Sequence, residues 1–178
     1  FKVRGKGISS KESHDRVVGK YKDLISDLAV EGDDIIEDLE SDLNSTIEGR
    51  KRIDFFASRG EHYSAKVIDR YFRSKGMPTV VKLPEDIGFL VSERFGNAKV
   101  LSATHINLKE NLTDDCIAII PGYYGITLKG DIAVFSRGGS DLTGGDVAYA
   151  VDAALYENWT DTDGVFQVDP RIIPEAGV

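Results

Sequence analysis

The period of the hydrophobic pattern changes once along the 178 residues, and this change constrains the fold more than any other feature. Before residue 76, apolar residues recur every three or four positions, which predicts amphipathic helices at 15–28, 32–47 and 60–74. After residue 76, short apolar runs alternate with helix-like stretches. This alternation predicts an α/β fold with a largely parallel sheet that helices cover on both faces.

The predicted strands are short and mostly apolar. They are "MPTVV" (77–81), "IGFLVS" (87–92), "CIAII" (116–120), "DIAVF" (131–135) and "LYENW" (155–159). CIAII is expected to be fully buried. A helix is predicted after "FGNAKVL", and another at 140–154. Because ligands bind at the carboxyl ends of strands in such sheets, the loops that follow the strands are the first candidates for function.

Composition narrows the classes of partner. The formal net charge is −8, which disfavours nucleic acid, and the apolar runs are too short to cross a membrane. The single cysteine, Cys116, cannot form an internal disulfide, and no signal peptide is visible, so a cytoplasmic location is expected.

The segment "SRGGSD", which ends at Asp141, follows DIAVF directly and begins a helix. Gly138 and Gly139 let the backbone approach a ligand, and the helix start presents free N–H groups and the positive end of its dipole. Arg137 adds a planar fork suited to a carboxylate or phosphate, and Asp141 is placed to orient a cation. These residues predict an anion site. The alternative is a glycine turn in which Ser140 caps the helix.

Two shorter motifs each allow a structural and a functional reading. "PGYYG" (121–125) follows CIAII, and its glycines permit close backbone approach, although Pro-Gly is also a common turn. "SRGE" (58–61) fits a capping box in which Ser58 is the N-cap of the third helix and Glu61 reaches back to it. A carboxylate held at a helix start can also meet a substrate ammonium, and both readings of Glu61 stay open.

The segment "WTDTDGVFQVDPR" (159–171) gathers three aspartates in a loop after LYENW. Its D-x-D-G spacing is partly that of a calcium loop, but Ile172 stands where the liganding glutamate would be. A loop that contacts a nucleotide fits better, with Arg171 near the phosphates.

Several common signatures do not occur. The G-x-x-x-x-G-K-[ST] phosphate loop and the G-x-G-x-x-G fingerprint are absent from the sequence. No metal site is predicted, because the spacing of the histidines favours surface or polar-contact roles over metal binding or catalysis. These histidines are His14, His62 and His105.

Taken in this order, "SRGE", "PGYYG", "SRGGSD" and "WTDTDGVFQVDPR" resemble the aspartate kinases of the amino-acid kinase superfamily. The run 135–173 is similar to that family almost without a break, and the helical portion 17–71 is similar more weakly. The resemblance implies a three-layer α/β/α sandwich with a largely parallel central sheet, incomplete at both ends. It implies an amino-acid-binding lobe at about 15–115 and the start of an ATP-binding lobe at about 116–178, without the regulatory ACT domains.

The resemblance also implies roles for the residues that match the family's motifs. Glu61 would meet the substrate ammonium, Arg137 a substrate carboxylate, and Asp141 would organise the catalytic cationic groups. The other residues of the same pocket would be Gly138, Gly139 and Ser140. The residues expected to contact the nucleotide are Thr160, Asp161, Phe166 and Arg171. Phe166 stands where many relatives carry a tyrosine.

The implied reaction is phosphoryl transfer from ATP to the side-chain carboxylate of L-aspartate, at the head of lysine, threonine and methionine synthesis. A carboxylate is already a nucleophile at neutral pH, so the transfer needs positioning and positive charge rather than a histidine base. Mg²⁺ would arrive with ATP and needs no dedicated protein site. A homodimer or higher homo-oligomer is implied.

Two other functions remain open. One is a related carboxylate kinase that acts on glutamate or acetylglutamate, and the other is a non-catalytic module that senses a nucleotide or amino acid. The family's Lys-Phe-Gly-Gly-Ser-Ser signature, whose lysine contacts the phosphates, is not in this sequence, and "RGKGISS" (4–10) is only superficially similar. Activity is therefore expected to require residues beyond these.

Overall fold

The computed structural model describes residues 10–113, 115–136 and 138–159. The helices within those ranges are α1 (Ser10–Asp27), α2 (Asp33–Leu43), α3 (Lys51–Ser74), α4 (Pro84–Ile87), α5 (Ala103–Asn111) and α6 (Gly139–Ala150). The strands there are β1 (Thr79–Val81), β2 (Ile117–Ile119), β3 (Tyr124–Ile126) and β4 (Ile132–Val134). In the described ranges, no helix has both the length and the apolar character needed to span a membrane.

The three amphipathic helices predicted before residue 76 are present, and they share one core. Its buried residues include Val18 of α1, Leu39 of α2 and Val67 of α3. The predicted extension of the second helix to Ile47 is wrong. The side-chain amide of Asn44 donates a 2.8 Å hydrogen bond to the carbonyl oxygen of Glu40, and α2 ends at Leu43.

Helix α3 begins at Lys51, earlier than the predicted start at residue 60. Ser58 therefore lies inside the helix, where its hydroxyl donates to the carbonyl oxygen of Phe55 at 2.7 Å. The capping-box reading of "SRGE" is wrong, because neither Ser58 nor Glu61 is at a helix start. A glycine in a helix interior costs about 1 kcal/mol, and the packing of α3 outweighs this cost at Gly60.

Strands β1 and β2 pair in parallel, with Thr79 opposite Ile117, as the alternating pattern predicts. The hydroxyl of Thr79 donates to Asp69 Oδ1 at 2.6 Å, which fastens β1 to α3. The expectation that CIAII is fully buried is wrong, since Ile117 is 46% exposed. Within the described ranges, β2 has β1 as its only paired strand, so part of its surface stays uncovered.

Strands β3 and β4 form an antiparallel hairpin in which Tyr124 is opposite Val134. The end of PGYYG, expected to be a loop, is therefore strand β3. Two predicted strands are wrong: IGFLVS makes only isolated bridges at Leu90 and Val91, and 155–159 has no regular structure. The predicted helices after FGNAKVL and near 140 are confirmed as α5 and α6.

The hairpin lies between two helical layers. Tyr124 and Val134 share the face toward α3, while Gly125 and Ala133 share the opposite face. That second face packs on a core formed by Phe89, Leu108 of α5 and Ala150 of α6. A Cβ at Gly125 would lie 2.7 Å from the carbonyl oxygen of Phe89, so the close packing requires glycine. Helices on both faces of a strand pair agree with the expected α/β/α layering.

Candidate functional site

The PGYYG and SRGGSD segments meet at the start of α6. A Cβ on Gly122 would lie 3.0 Å from both Cα and Cβ of Ser140, so the loop and the helix are in direct contact. The backbone N–H of Tyr123 donates to Thr143 Oγ1 at 3.3 Å. The two motifs singled out from the sequence therefore form one continuous surface.

Gly138 is the N-cap of α6, with a φ of 82° that favours glycine. Among the residues that the structure describes, no side chain caps the helix. The alternative in which Ser140 is the cap is wrong, because Ser140 lies within the first turn. A Cβ on Gly139 would lie 2.6 Å from Phe135 Cβ. Uncapped N–H groups and the helix dipole together favour an anion at this position.

Asp141 and Ser140 are exposed in the first turn of α6. Neither side chain makes a hydrogen bond or ion pair with another residue in the described ranges. A carboxylate this close to the uncapped helix start interacts favourably with the dipole. It is also available to a cationic group that accompanies an anionic ligand.

Glu61 lies in the middle of α3, with an exposed side chain. In the described part of the chain, its carboxylate has no hydrogen-bonding or ion-pair partner. Partial burial raises the pKa of this carboxyl. The Tyr21 hydroxyl of α1 lies nearby and donates to the carbonyl oxygen of Gly60 at 2.8 Å. Glu61 is thus an acid whose charge nothing described here neutralises.

The next residue, His62, connects α3 to the hairpin. Its Nδ1 is 3.1 Å from the hydroxyl oxygen of Tyr124, and the two residues are 5% and 0% exposed. Burial, together with the positive charges of Arg59 and Lys66, lowers the pKa of His62 to about 4. The ring is therefore neutral near pH 7. The expectation of a polar-contact role for this histidine is confirmed.

Sequence reasoning missed two buried charged residues on α3. Asp54 is 2% exposed, and its Oδ2 accepts hydrogen bonds from the backbone N–H groups of Gly96 at 2.7 Å and Val134 at 2.9 Å. Arg59 donates to Asp42 Oδ2 at 2.8 Å. The only signal available was a charged residue on the apolar stripe of a helix, and it does not identify the distant partners.

Five of the predicted site residues lie outside the described ranges. They are Arg137, Thr160, Asp161, Phe166 and Arg171. Among the described residues, no three His, Cys, Asp or Glu side chains are grouped so that they could hold a metal ion. Of the predicted site residues, the structure therefore describes Glu61 on α3 and the four residues 138–141 at the start of α6, where Gly122 packs against Ser140.

Comparison with known proteins gives the following matches. Residues 4–178 match the sequence model described as the amino acid kinase family. Aspartokinase 3 of Bacillus subtilis is 38% identical over 93% of this chain and 37% of its own length. An aspartokinase of Thermus thermophilus is 33% identical over 71% of this chain and 31% of its own length. The chain thus spans about a third of the length of these relatives.

Solved structures show a similar fold. Clostridium acetobutylicum aspartate kinase matches with a TM-score of 0.63 and 26% identity, over 93% of this chain and 36% of that one. Escherichia coli aspartokinase III, solved in complex with aspartate and ADP, matches with a TM-score of 0.62 and 22% identity, over 90% of this chain and 34% of that one. These matches confirm the α/β fold class.

Proposed function

Because the chain belongs to the amino acid kinase family, we propose that it is the substrate-binding part of an aspartate kinase. The reaction would be transfer of the γ-phosphoryl group of ATP to the β-carboxylate of L-aspartate, giving 4-phospho-L-aspartate. Residues of about 15–115 would form the amino-acid lobe, and about 116–178 would begin the ATP lobe. The names of the most similar relatives and the aspartate and ADP bound to the Escherichia coli enzyme support this proposal.

The observation that supports the proposal is a pair of groups of opposite charge, each without a hydrogen-bonding or ion-pair partner among the described residues. The Glu61 carboxylate is negative and without a described partner, and the start of α6 is an uncapped, positively polarised backbone edge. An amino acid carries both an ammonium and a carboxylate. Glu61 would bind the ammonium, while the backbone at Gly138 and Gly139, with Ser140, would bind a carboxylate.

The remaining assignments follow the family's motifs. Arg137 would clamp a substrate carboxylate and Asp141 would orient the cationic groups around the transferred phosphoryl. The proposed nucleotide contacts are Thr160, Asp161, Phe166 and Arg171. Bound Mg²⁺ would neutralise phosphate charge, and the uncapped, glycine-lined start of α6 fits a phosphoryl group. A homo-oligomeric state and a cytoplasmic location belong to the same proposal.

The test is a trapping assay. The chain and the complete gene product that contains it are incubated separately with MgATP and L-aspartate, L-glutamate or N-acetylglutamate, and hydroxylamine traps any acyl phosphate. Aspartyl hydroxamate is the expected product. A hydroxamate of another acid would reassign the substrate within the family. If the complete product binds ATP and aspartate but yields no hydroxamate, the proposal fails in favour of a sensing module.

A further inference from the structure

We infer that the hydrogen bond between His62 and Tyr124 is a positioning contact that sets the distance between Glu61 and the start of α6. This inference rests on the proposed function, since it assumes that one amino acid spans those two groups. His62 and Tyr124 would not touch the substrate. Their bond would instead fix the spacing that the ammonium and carboxylate of the substrate require.

On the α3 side, the contact begins one residue from the acid. His62 directly follows Glu61, and the residue is 5% exposed. The ring packs edge-on against Tyr63, with 4.8 Å between the ring centroids. Because packing restricts the ring, a movement of the Tyr124 hydroxyl would be transmitted to the turn of α3 that carries Glu61.

On the hairpin side, Tyr124 is two residues from the loop that touches α6. The preceding residue, Tyr123, has a φ of 75° and is held by backbone bonds on both sides. Its N–H donates to Thr143 Oγ1 at 3.3 Å, and its carbonyl oxygen accepts from the N–H of Phe135 at 2.9 Å. With Gly122 against Ser140, a short and restrained path joins Tyr124 to the anion-binding end of the site.

The pair is neutral, so it acts through geometry rather than charge. Burial lowers the pKa of His62 to about 4, aided by Arg59 and Lys66 and opposed by the α2 carboxylates of Asp42 and Asp38. Burial raises the pKa of the Tyr124 hydroxyl, and the carboxylates of Glu85, Asp86 and Glu61 raise it further while Arg59 opposes them. Near pH 7 the His62 ring is therefore neutral and the Tyr124 hydroxyl keeps its proton, so neither group changes its charge.

The neighbouring residue offers a matched control. Tyr63 is 1% exposed, and its hydroxyl donates to Asp42 Oδ2 at 2.7 Å, so it links α3 to α2 rather than to the hairpin. Tyr63→Phe removes the hydroxyl bond from α3 to α2, and Tyr124→Phe removes the hydroxyl bond from the hairpin to α3. A purely structural role for both bonds predicts the same kinetic outcome from the two variants.

The experiment measures steady-state kinetics of the complete gene product, with thermal unfolding as a check on folding. Tyr124→Phe is expected to raise the KM for L-aspartate about tenfold, with kcat and the KM for ATP within about twofold of wild type. Tyr63→Phe should lower the melting temperature similarly and leave the KM for L-aspartate unchanged. Equal effects of the two variants on that KM would overturn the inference.

A second pair of variants, at His62, tests the same hydrogen bond if Tyr124→Phe changes the packing of the hairpin as well as removing the bond. His62→Leu should raise the same KM, and His62→Asn, which keeps a polar atom near the Nδ1 position, should restore much of it. Combining His62→Leu with Tyr124→Phe should add little, because both remove one bond. Additive effects would count against the inference.

Failure of the proposed function gives a different pattern. If wild-type protein forms no hydroxamate from any of the three acids, the proposed function and this inference both fall. If wild type forms aspartyl hydroxamate while Tyr124→Phe leaves the KM for L-aspartate unchanged, only this inference falls.

Discussion

Asp54 and Glu61 lie two turns apart on α3, and their carboxylates have opposite environments. Asp54 is 2% exposed and accepts two backbone N–H groups from other parts of the chain. Glu61 is exposed and has no hydrogen-bonding or ion-pair partner in the described ranges. The Asp54 carboxylate stabilises the fold, whereas the Glu61 carboxylate is free to bind a cationic ligand.

This difference separates structural acids from candidate ligand-binding acids on one helix. A buried carboxylate that accepts backbone N–H groups stabilises the fold, because its removal would leave those donors unpaired. A carboxylate without such bonds contributes little to stability. The two residues should therefore respond to substitution in opposite ways, and the following experiments test that contrast.

The largest effect is expected at Asp54. Asp54→Ala leaves the N–H groups of Gly96 and Val134 without an acceptor and should lower the free energy of unfolding by about 4 kcal/mol. Urea denaturation measures the loss. Asp54→Asn keeps a carbonyl oxygen for both donors and should lose less, while Glu61→Ala should change stability by under about 0.5 kcal/mol. Similar losses at both positions would remove the contrast.

The pH dependence of stability sharpens the comparison beside Glu61. An unfolded histidine takes up a proton near pH 6.5, whereas folded His62 does so near pH 4. Unfolding therefore takes up a proton between these values, and stability should fall by about 3 kcal/mol as the pH drops from 6.5 to 4. The measurement is urea denaturation across that range.

His62→Asn isolates this effect. The raised pKa of Glu61 acts in the opposite direction, because it makes the folded state bind a proton more readily and so reduces stability as the pH rises. That effect remains in the variant. An unchanged pH slope in His62→Asn would show that another group titrates.

Substitution of Glu61 should change binding rather than folding. Glu61→Gln removes the charge that pairs with the substrate ammonium, and the KM for L-aspartate in the complete gene product should rise about 100-fold. The urea midpoint should stay within error of wild type. Glu37→Gln on the exposed face of α2 is the matched control and should alter neither quantity. An equal rise of this KM in both variants would show that Glu61 does not bind the substrate ammonium.

The smallest effect is expected at Tyr21. Tyr21→Phe removes the hydroxyl that donates to the carbonyl oxygen of Gly60 at 2.8 Å, beside Glu61. This bond is exposed, so unfolding free energy should fall by only about 0.5 kcal/mol, and the KM for L-aspartate should change less than about twofold. A larger kinetic effect, measured in the same assay, would bring Tyr21 into the binding site.

The fold could be predicted where the pattern is local. Amphipathic spacing identified α1, α2 and most of α3, and the apolar runs identified β1, β2 and β4. The start of α3 was misplaced because Ser58, Gly60 and Glu61 match the local signals of a helix start. Tertiary packing overrides those signals, since the segment before them packs against β4 and the loop at Gly96.

Only part of the candidate site could be predicted from local sequence patterns. SRGGSD and PGYYG could be recognised because glycines at strand ends indicate close approach, and the structure brings them together. Periodicity gave no reason to prefer Glu61 over other acids of α3. The SRGE motif singled it out as an acid at a helix start, which is wrong, and the family resemblance gave it a role. The bond between His62 and Tyr124 spans 62 residues, so no local pattern indicates it.

The long reach of Asp54 has a consequence for how the chain is synthesised. One of the two donors to its Oδ2 is the N–H of Val134, which lies 80 residues further along the chain. At about 5–20 residues per second, the ribosome needs roughly 4–16 s to deliver that partner. Through this interval α3 can associate with α1 and α2, and Asp54 can accept the N–H of Gly96, but it still lacks its second donor. The bond that joins the hairpin to α3 at Asp54 therefore forms only after translation has passed Val134.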